Sequence, residues 1–323
     1  MPFAGCPNRC SFCDQHSITG VVAKTTPDDV KKAVETALSS GSLDTDNSEI
    51  AFFGGSFTAI DREYMVSLLD AAKKYIHHFK GIRISTRPDC IDENVLSLLK
   101  SYGVTAIELG AQSMCDDVLL QNDRGHNADS VRCASQLIKS YGFELGLQMM
   151  TGLYGSSNEK DTYTAQEFIK LHPDTVRIYP TVILKNTKLE TYMRSGEYVP
   201  MNVEDTVSLC AELITLFEKE SINVIRVGLH SSETVENSML AGGYHPALRE
   251  LCENMIYRNL ILKHISDENI KKGNIKISVP KGAVSKVTGQ KKKNLTALQK
   301  MGYFAKVSED PYLVGRQISI QEG

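Results

Sequence analysis

The sequence predicts an α/β fold built on a parallel sheet or barrel, followed by a smaller α+β domain. Short apolar runs alternate with amphipathic stretches of helical period over most of the chain, the order that connects parallel strands to covering helices. The apolar runs are nearly continuous, as strands covered on both faces require. Each is followed by a small, polar or glycine-rich block, and such folds bind ligands at the carboxyl ends of their strands.

The elements follow in order. Thr26-Pro27-Asp28-Asp29 starts a helix, with a threonine N-cap, proline in the first turn and acids at the positive end of the dipole. Residues 50–53 form a buried strand ended by Gly54-Gly55. A helix over 61–79 places Met65, Leu68, Leu69 and Ala72 on one face. Strands at 82–85, 104–109, 143–149 and 175–179 then alternate with helices at 92–102, 128–141 and 158–171. A helix over 203–219, a strand at 222–227 and helical stretches around 247–264 come next. The strand ends carry Gly54-Gly55-Ser56, Thr86-Arg87-Pro88-Asp89, Gly110-Ala111-Gln112-Ser113, Met150 to Gly155, and Pro180. Any one of these is ordinary turn chemistry; five in succession point to a binding face.

At 323 residues the chain exceeds the size at which one hydrophobic core usually stops growing, so a large domain with an appendage is expected. Its 41% hydrophobic and 23% charged residues exclude wholesale disorder. No apolar run approaches the roughly 18 residues of a membrane-spanning helix. Cys6, Cys10 and Cys13 occupy the place of a signal peptide's apolar region. Eight cysteines are too sparse for a disulfide scaffold, so a reducing, cytoplasmic setting is expected, with no membrane partner.

Three of those cysteines stand in Cys6-Pro7-Asn8-Arg9-Cys10-Ser11-Phe12-Cys13. The other five (Cys90, Cys115, Cys133, Cys210, Cys252) are scattered and read as small buried hydrophobes. Pro7, Asn8 and Ser11 make the cluster a bending loop that turns three thiolates toward one centre. A structural zinc site wants four ligands, and neither His16 nor a fourth cysteine completes a recognisable zinc pattern. Three thiolates on a [4Fe–4S] cube leave one iron without a protein ligand, open to a substrate or cofactor.

The C-x3-C-x2-C spacing with Phe12 before the last cysteine resembles the radical S-adenosylmethionine (SAM) superfamily. The resemblance implies a partial (β/α)6 barrel, a [4Fe–4S] cluster on Cys6, Cys10 and Cys13, and SAM as the second cofactor. It also implies cleavage of SAM, by an electron from a reductant such as flavodoxin or ferredoxin, to a 5′-deoxyadenosyl radical. It places Gly54, Gly55 and Ser56 at the amino group of SAM and Phe12 near the adenine. Thr86, Gln112 and Arg124 fall at the ribose or the methionine carboxylate. Ser56 stands where many members have Glu. Tyr179, with Arg177 beside it on the last strand, is the candidate catalytic residue.

More narrowly, Phe53 to Thr58, Thr86 to Asp89, Glu108 to Ser113, Arg124-Gly125-His126 and Ile178-Tyr179-Pro180 resemble the radical SAM portion of the Elongator catalytic subunit and its bacterial relatives. That likeness implies tRNA or another RNA as substrate. The chain ends too soon for the acetyltransferase domain of that family, so acetyl-CoA chemistry is not expected. Only Met1 to Ala4 precede the cysteine loop, so the barrel is expected to open on a truncated or very short strand.

The formal charge is −3, but residues 271–300 hold nine lysines and no Asp or Glu, leaving −12 for the remainder. A charge run is ordinarily a solvated face. Here, however, a strand at 275–279, a helix at 282–287, the basic loop Gly289-Gln290-Lys291-Lys292, a helix at 294–301 and strands at 304–308 and 317–320 resemble a KH RNA-binding module. Lys292 replaces the second glycine of the GXXG loop that clamps a nucleotide backbone in that module. Lys286, Gly289, Lys291, Lys292 and Lys293 are the candidate RNA contacts. The expected domains are thus 1–200 (barrel), 201–268 (extension) and 269–323 (basic, KH-like). The sequence leaves two rival functions: a radical SAM enzyme of the coproporphyrinogen oxidase kind acting on a small metabolite, and an RNA-binding protein with a structural or sensory cluster.

Overall fold

A computed structural model describes residues 5–6, 9–14, 18, 23–41 and 43–323. The expected short first strand, at 1–4, lies outside the described residues, as does His16. The chain divides into two compact units, Met1–Asn202 with Phe217–Tyr244, and Val203–Leu216 with His245–Gly323.

The first unit is built on six parallel strands in the order β1-β2-β3-β4-β5-β7, curled into a half-barrel. They are β1 (Glu49–Phe52), β2 (Gly81–Thr86), β3 (Val104–Gln112), β4 (Glu144–Thr151), β5 (Thr175–Pro180) and β7 (Asn223–Val227). Between them run α1 (Pro27–Ser39), α2 (Arg62–Lys73), α3 (Glu93–Ser101), α4 (Asp116–Gln121), α5 (Ala128–Ser140) and α6 (Asn158–Leu171). Local sequence sets their starts: Thr26 and Asp29 cap α1 reciprocally, while Asp61, Asp92, Asn127 and Ser157 each accept a backbone N–H at the head of α2, α3, α5 and α6. Strand and helix meet over Ile82, Ile84, Ile107, Leu109, Leu68 and Leu96, all fully buried. Successive strands ascend the sheet in chain order up to β5, so their carboxyl ends form one rim.

Several elements differ from the sequence expectation. The helix foreseen over 61–79 ends at Lys73 and is followed by a short 3-10 turn at Ile76–His78. A two-stranded antiparallel ribbon of β6 (Val182–Leu184) and β8 (Met239–Gly242) was not foreseen, nor were the short helices α7 (Lys188–Ser195) and α9 (Glu233–Ser238). In that ribbon Gly242 pairs with Val182.

The second unit holds most of α8 (Val203–Lys219), together with α10 (Leu248–Asp267), β9 (Gly273–Val279), α11 (Val284–Thr288), α12 (Lys293–Lys300), β10 (Tyr303–Glu309) and β11 (Ser319–Glu322). Its sheet runs β10-β9-β11, with β9 parallel to β10 and antiparallel to β11. Tyr257, Ile261 and Ile265 of α10 share one buried core with Ile275, Ile277, Val287, Leu298 and Ile320. The stretch read as the barrel's extension, 201–268, contributes to both units. Asn223–Val227 supplies the sixth strand of the barrel sheet, and α10 belongs to the core of the C-terminal unit. Among the described residues no helix is long and apolar enough to cross a membrane.

Candidate active site

The cysteine loop is held at both flanks. Ser11 is fully buried; its N–H donates to the Asn122 carbonyl (3.1 Å) and its hydroxyl to Asn122 Oδ1 (2.7 Å), while its carbonyl accepts from Leu189 N–H. Asn122 is itself fixed by donating to the Val118 and Tyr154 carbonyls. At the other flank Gly5 has φ +72°, and a β-carbon there would stand 2.2 Å from the Ser56 carbonyl oxygen. Only glycine lets the cysteine loop lie this close to the Gly-Gly-Ser turn.

None of Cys6, Cys10 and Cys13 is in a disulfide, and each is half-buried. Arg124 Nη1 donates to Cys10 Sγ at 3.1 Å. Burial and the Cys10 charge push the Cys6 thiol up, and Arg124 and Arg87 pull it back. Among the described residues no three His, Cys, Asp or Glu side chains are gathered tightly enough to enclose a single ion. A cube asks something else of the loop, one thiolate at each of three irons around a volume. Three thiols on one anchored loop, with two guanidinium groups beside them, fit that group.

A cavity of about 340 Å³ opens beside the loop, at the carboxyl rim of the strands. Phe12, Cys13, Gly54 (φ +120°) and Gln112 line it from the loop and from the ends of β1 and β3. Gln112 has φ +69°, and its Oε1 is buried without a partner, an acceptor poised for a donor on a ligand. Arg177, Tyr179, Arg226 and His230 line the cavity from β5, β7 and the chain beyond β7. Burial raises the Tyr179 phenol, with Arg177 opposing it.

Other predicted cofactor contacts lie beneath this surface. Ser56 and Thr86 are buried, and their hydroxyls bond each other at 2.9 Å. Thr86 also meets Thr58 Oγ1 at 2.6 Å, and Ser56 accepts from Arg87 N–H, so both hydroxyls are spent on tying β1 to β2. Arg124 is buried, bonded through Nη2 to the Gly110 carbonyl and through Nη1 to Cys10, and its guanidinium sits 5.9 Å from the Phe12 ring centre. It braces the cysteine loop against β3. Gly55 is half-buried in the same turn.

A ladder of buried charge under the cavity was not foreseen. Glu108 on β3 accepts from Arg177 Nε (2.6 Å) and Nη2 (2.9 Å) on β5 and from Gln148 Nε2 (2.8 Å) on β4. Arg83 on β2 bonds Glu49 on β1 (2.6 Å) and Glu144 on β4 (2.5 Å). The sequence carries the signal: Arg83, Glu108 and Arg177 each interrupt an otherwise apolar strand. Arg87 clasps Asp89 with two bonds (2.9 and 2.8 Å) and donates to the Arg124 carbonyl at 2.5 Å, which locks the second predicted rim block in place.

In the C-terminal unit the turn between α11 and α12 runs through Gly289 (φ +78°), Lys291 (φ +52°) and Lys292 (φ +60°). Asn294 fixes the turn by donating to the Val287 and Asn254 carbonyls. Lys291, Lys292 and Lys293 are exposed. Lys286 differs from expectation, because its ammonium lies 3.6 Å from Glu253, which Arg249 and Arg316 also engage. Gly289 is buried against Asn294. Of the scattered cysteines only Cys210 and Cys252 are buried; Cys90 and Cys115 are half-buried and Cys133 is exposed.

A six-stranded parallel half-barrel with three cysteines on one loop at its rim defines a class, and the family comparison agrees. The radical SAM superfamily model matches residues 1–166 and the radical SAM C-terminal domain model matches 173–258, so the chain belongs to the radical SAM superfamily and is an enzyme of that class. When bound, the family's [4Fe–4S] cluster and SAM supply a 5′-deoxyadenosyl radical that abstracts hydrogen.

Within that superfamily the chain is 29% identical over 194 residues to the tRNA uridine(34) acetyltransferase of Dehalococcoides mccartyi, covering 53% of this chain and 42% of that protein. It is 32% identical over 193 residues to human Elongator complex protein 3, covering 53% and 35%. Both matches cover the radical SAM part, and the chain spans well under half the length of these relatives. The solved structure of Methanocaldococcus infernus Elp3 with an N-terminal deletion shares the fold, with a TM-score of 0.61 at 24% identity, covering 76% of this chain and 62% of that one.

Proposed function

We propose that the chain uses its radical SAM barrel to modify a base in RNA, tRNA being the substrate. The observation that carries the reading is the exposed lysine turn at Lys291–Lys293, in a chain whose barrel resembles enzymes named for uridine 34 of tRNA. Cys6, Cys10 and Cys13 hold the cluster, and an external reductant such as flavodoxin or ferredoxin supplies its electron. Gly54 and Gln112 meet SAM from the rim, and Phe12 covers the adenine. Ser56, Thr86 and Arg124 act one layer down, fixing the turn, the strand pair and the cysteine loop. Tyr179 faces the substrate volume. Its raised phenol stays protonated at neutral pH and donates a hydrogen bond there. Lysines 291–293 hold the phosphate backbone by charge.

Filter binding of unmodified total tRNA, across a salt series, tests the substrate. Binding should weaken steeply with salt, and the K291Q/K292Q/K293Q variant should lower the log–log slope by about 2. Absence of binding by the intact chain at low salt would sink the RNA reading.

A further inference from the structure

The rim cavity has a second half that the cofactor set does not use. Arg177 on β5 and Arg226 on β7 are direct partners in the strand register, so two guanidinium groups stand side by side in the cavity wall. Only one of them is compensated. Arg177 is clasped by Glu108 through two hydrogen bonds, and Glu108 is fully buried beneath the wall. Arg226 uses Nε to donate to the Gly228 carbonyl at 3.0 Å, which fixes the plane of its guanidinium. Its two terminal nitrogens have no partner among the described residues. Among the described residues no Asp or Glu lines the cavity, and His230, which is exposed, lines it from the chain just beyond β7. The wall around them is Tyr179, on whose phenol both arginines act, and the apolar Pro180, Val182, Leu184 and Leu229.

A fixed guanidinium with two outward donors, set in an apolar wall beside a second cation, matches a planar or tetrahedral oxyanion. Gln112 and Gly54, at the ends of β3 and β1, are the residues given to the cofactor above, and Arg226, on the β7 edge of the sheet, is left for another ligand. We infer that Arg226, seconded by His230, is an anion subsite that holds a phosphate of the nucleotide undergoing reaction and thereby sets which molecule can enter. The apolar residues around it receive the face of the base. This rests on the RNA reading above and deepens it, since it places a phosphate contact in the barrel cavity itself, separate from the lysine turn.

Uridine and uridine 5′-monophosphate differ only in the phosphate, and equilibrium dialysis of each against the reconstituted protein, in the presence of SAM, isolates that contact. The wild-type protein should hold the monophosphate at least about tenfold more tightly than uridine. Arg226→Gln should abolish the difference, and Arg226→Lys should keep part of it. The preference in the wild type should also shrink as salt is raised, a measurement that needs no variant to fold. Equal binding of the two probes by the wild type overturns the inference. So does an Arg226→Gln protein that keeps the preference, or one that loses SAM itself, which would give Arg226 to the cofactor. The tRNA filter assay reads the lysine turn instead, so either result can fail without the other.

Discussion

Arg124 illustrates what a single residue contributes beyond its expected contact. Its position suggested the methionine carboxylate or the ribose, yet its side chain is buried between Cys10 and the Gly110 carbonyl. That role depends on residues 114 positions apart in the chain meeting in space, which spacing alone does not reveal. Gly5 is a simpler case: the Ser56 carbonyl, 2.2 Å from where a β-carbon would stand, leaves no room for one, and φ is positive. Gly5→Ala should therefore displace the cysteine loop and lower the iron retained after reconstitution severalfold, with the far-ultraviolet circular dichroism of the barrel unchanged. His126 gives a pH signature. Burial first, then Arg124, lowers its pKa from 6.5 to about 4. The unfolded chain takes up a proton near 6.5 that the folded chain resists until about 4, so stability falls as pH drops through that window. Asp161, which burial raises to about 6, acts in the opposite sense in this window, so it is the stability of the wild type relative to His126→Gln that should fall in urea melts between pH 6.5 and 4. A variant profile as steep as the wild type would contradict the assignment.

At the scale of elements, the helices were readable because their signals are local: a capping residue followed by apolar positions at helical spacing. The strands of the barrel were readable as apolar runs ended by turn residues. The ribbon of β6 and β8 was not, since strands of three and four residues offer too little pattern and pair across more than 50 positions. The charged ladder is an intermediate case. Lone charges inside apolar strands are visible, but their pairing follows from strand order, which sequence does not display. Glu108 is its hub, with a side chain 1% exposed. Removing it leaves Arg177 without its ion-pair partner beneath the cavity and Arg83 with one carboxylate fewer. Glu108→Ala should thus cost about 3–5 kcal/mol of stability, measured as the shift of the urea midpoint with m unchanged. A loss under about 1 kcal/mol would show that water or neighbouring groups replace the carboxylate.

At the scale of the molecule, the near-neutral total conceals a division of charge that the two units make concrete. The lysine-rich segment lies wholly in the C-terminal unit, where strand, helix, basic turn, helix and strand follow in the expected order. Its turn places Lys291 and Lys292 in the left-handed region, a backbone that a non-glycine residue adopts at a cost of roughly 1–2 kcal/mol each. Replacing Lys292 by glycine, the residue a KH loop carries there, should raise stability while removing one exposed charge from the proposed RNA-binding turn. Thermal melts should move upward and tRNA affinity downward together.

The proposed function depends above all on three loop cysteines holding a redox cluster for SAM chemistry at the barrel rim. Anaerobic reconstitution followed by iron analysis and a SAM cleavage assay with reductant tests it most directly. The wild-type chain should bind about four iron atoms and form 5′-deoxyadenosine, and Cys10→Ser should lose both. A Cys10→Ser protein that retains the iron and the cleavage would contradict a cluster on these cysteines.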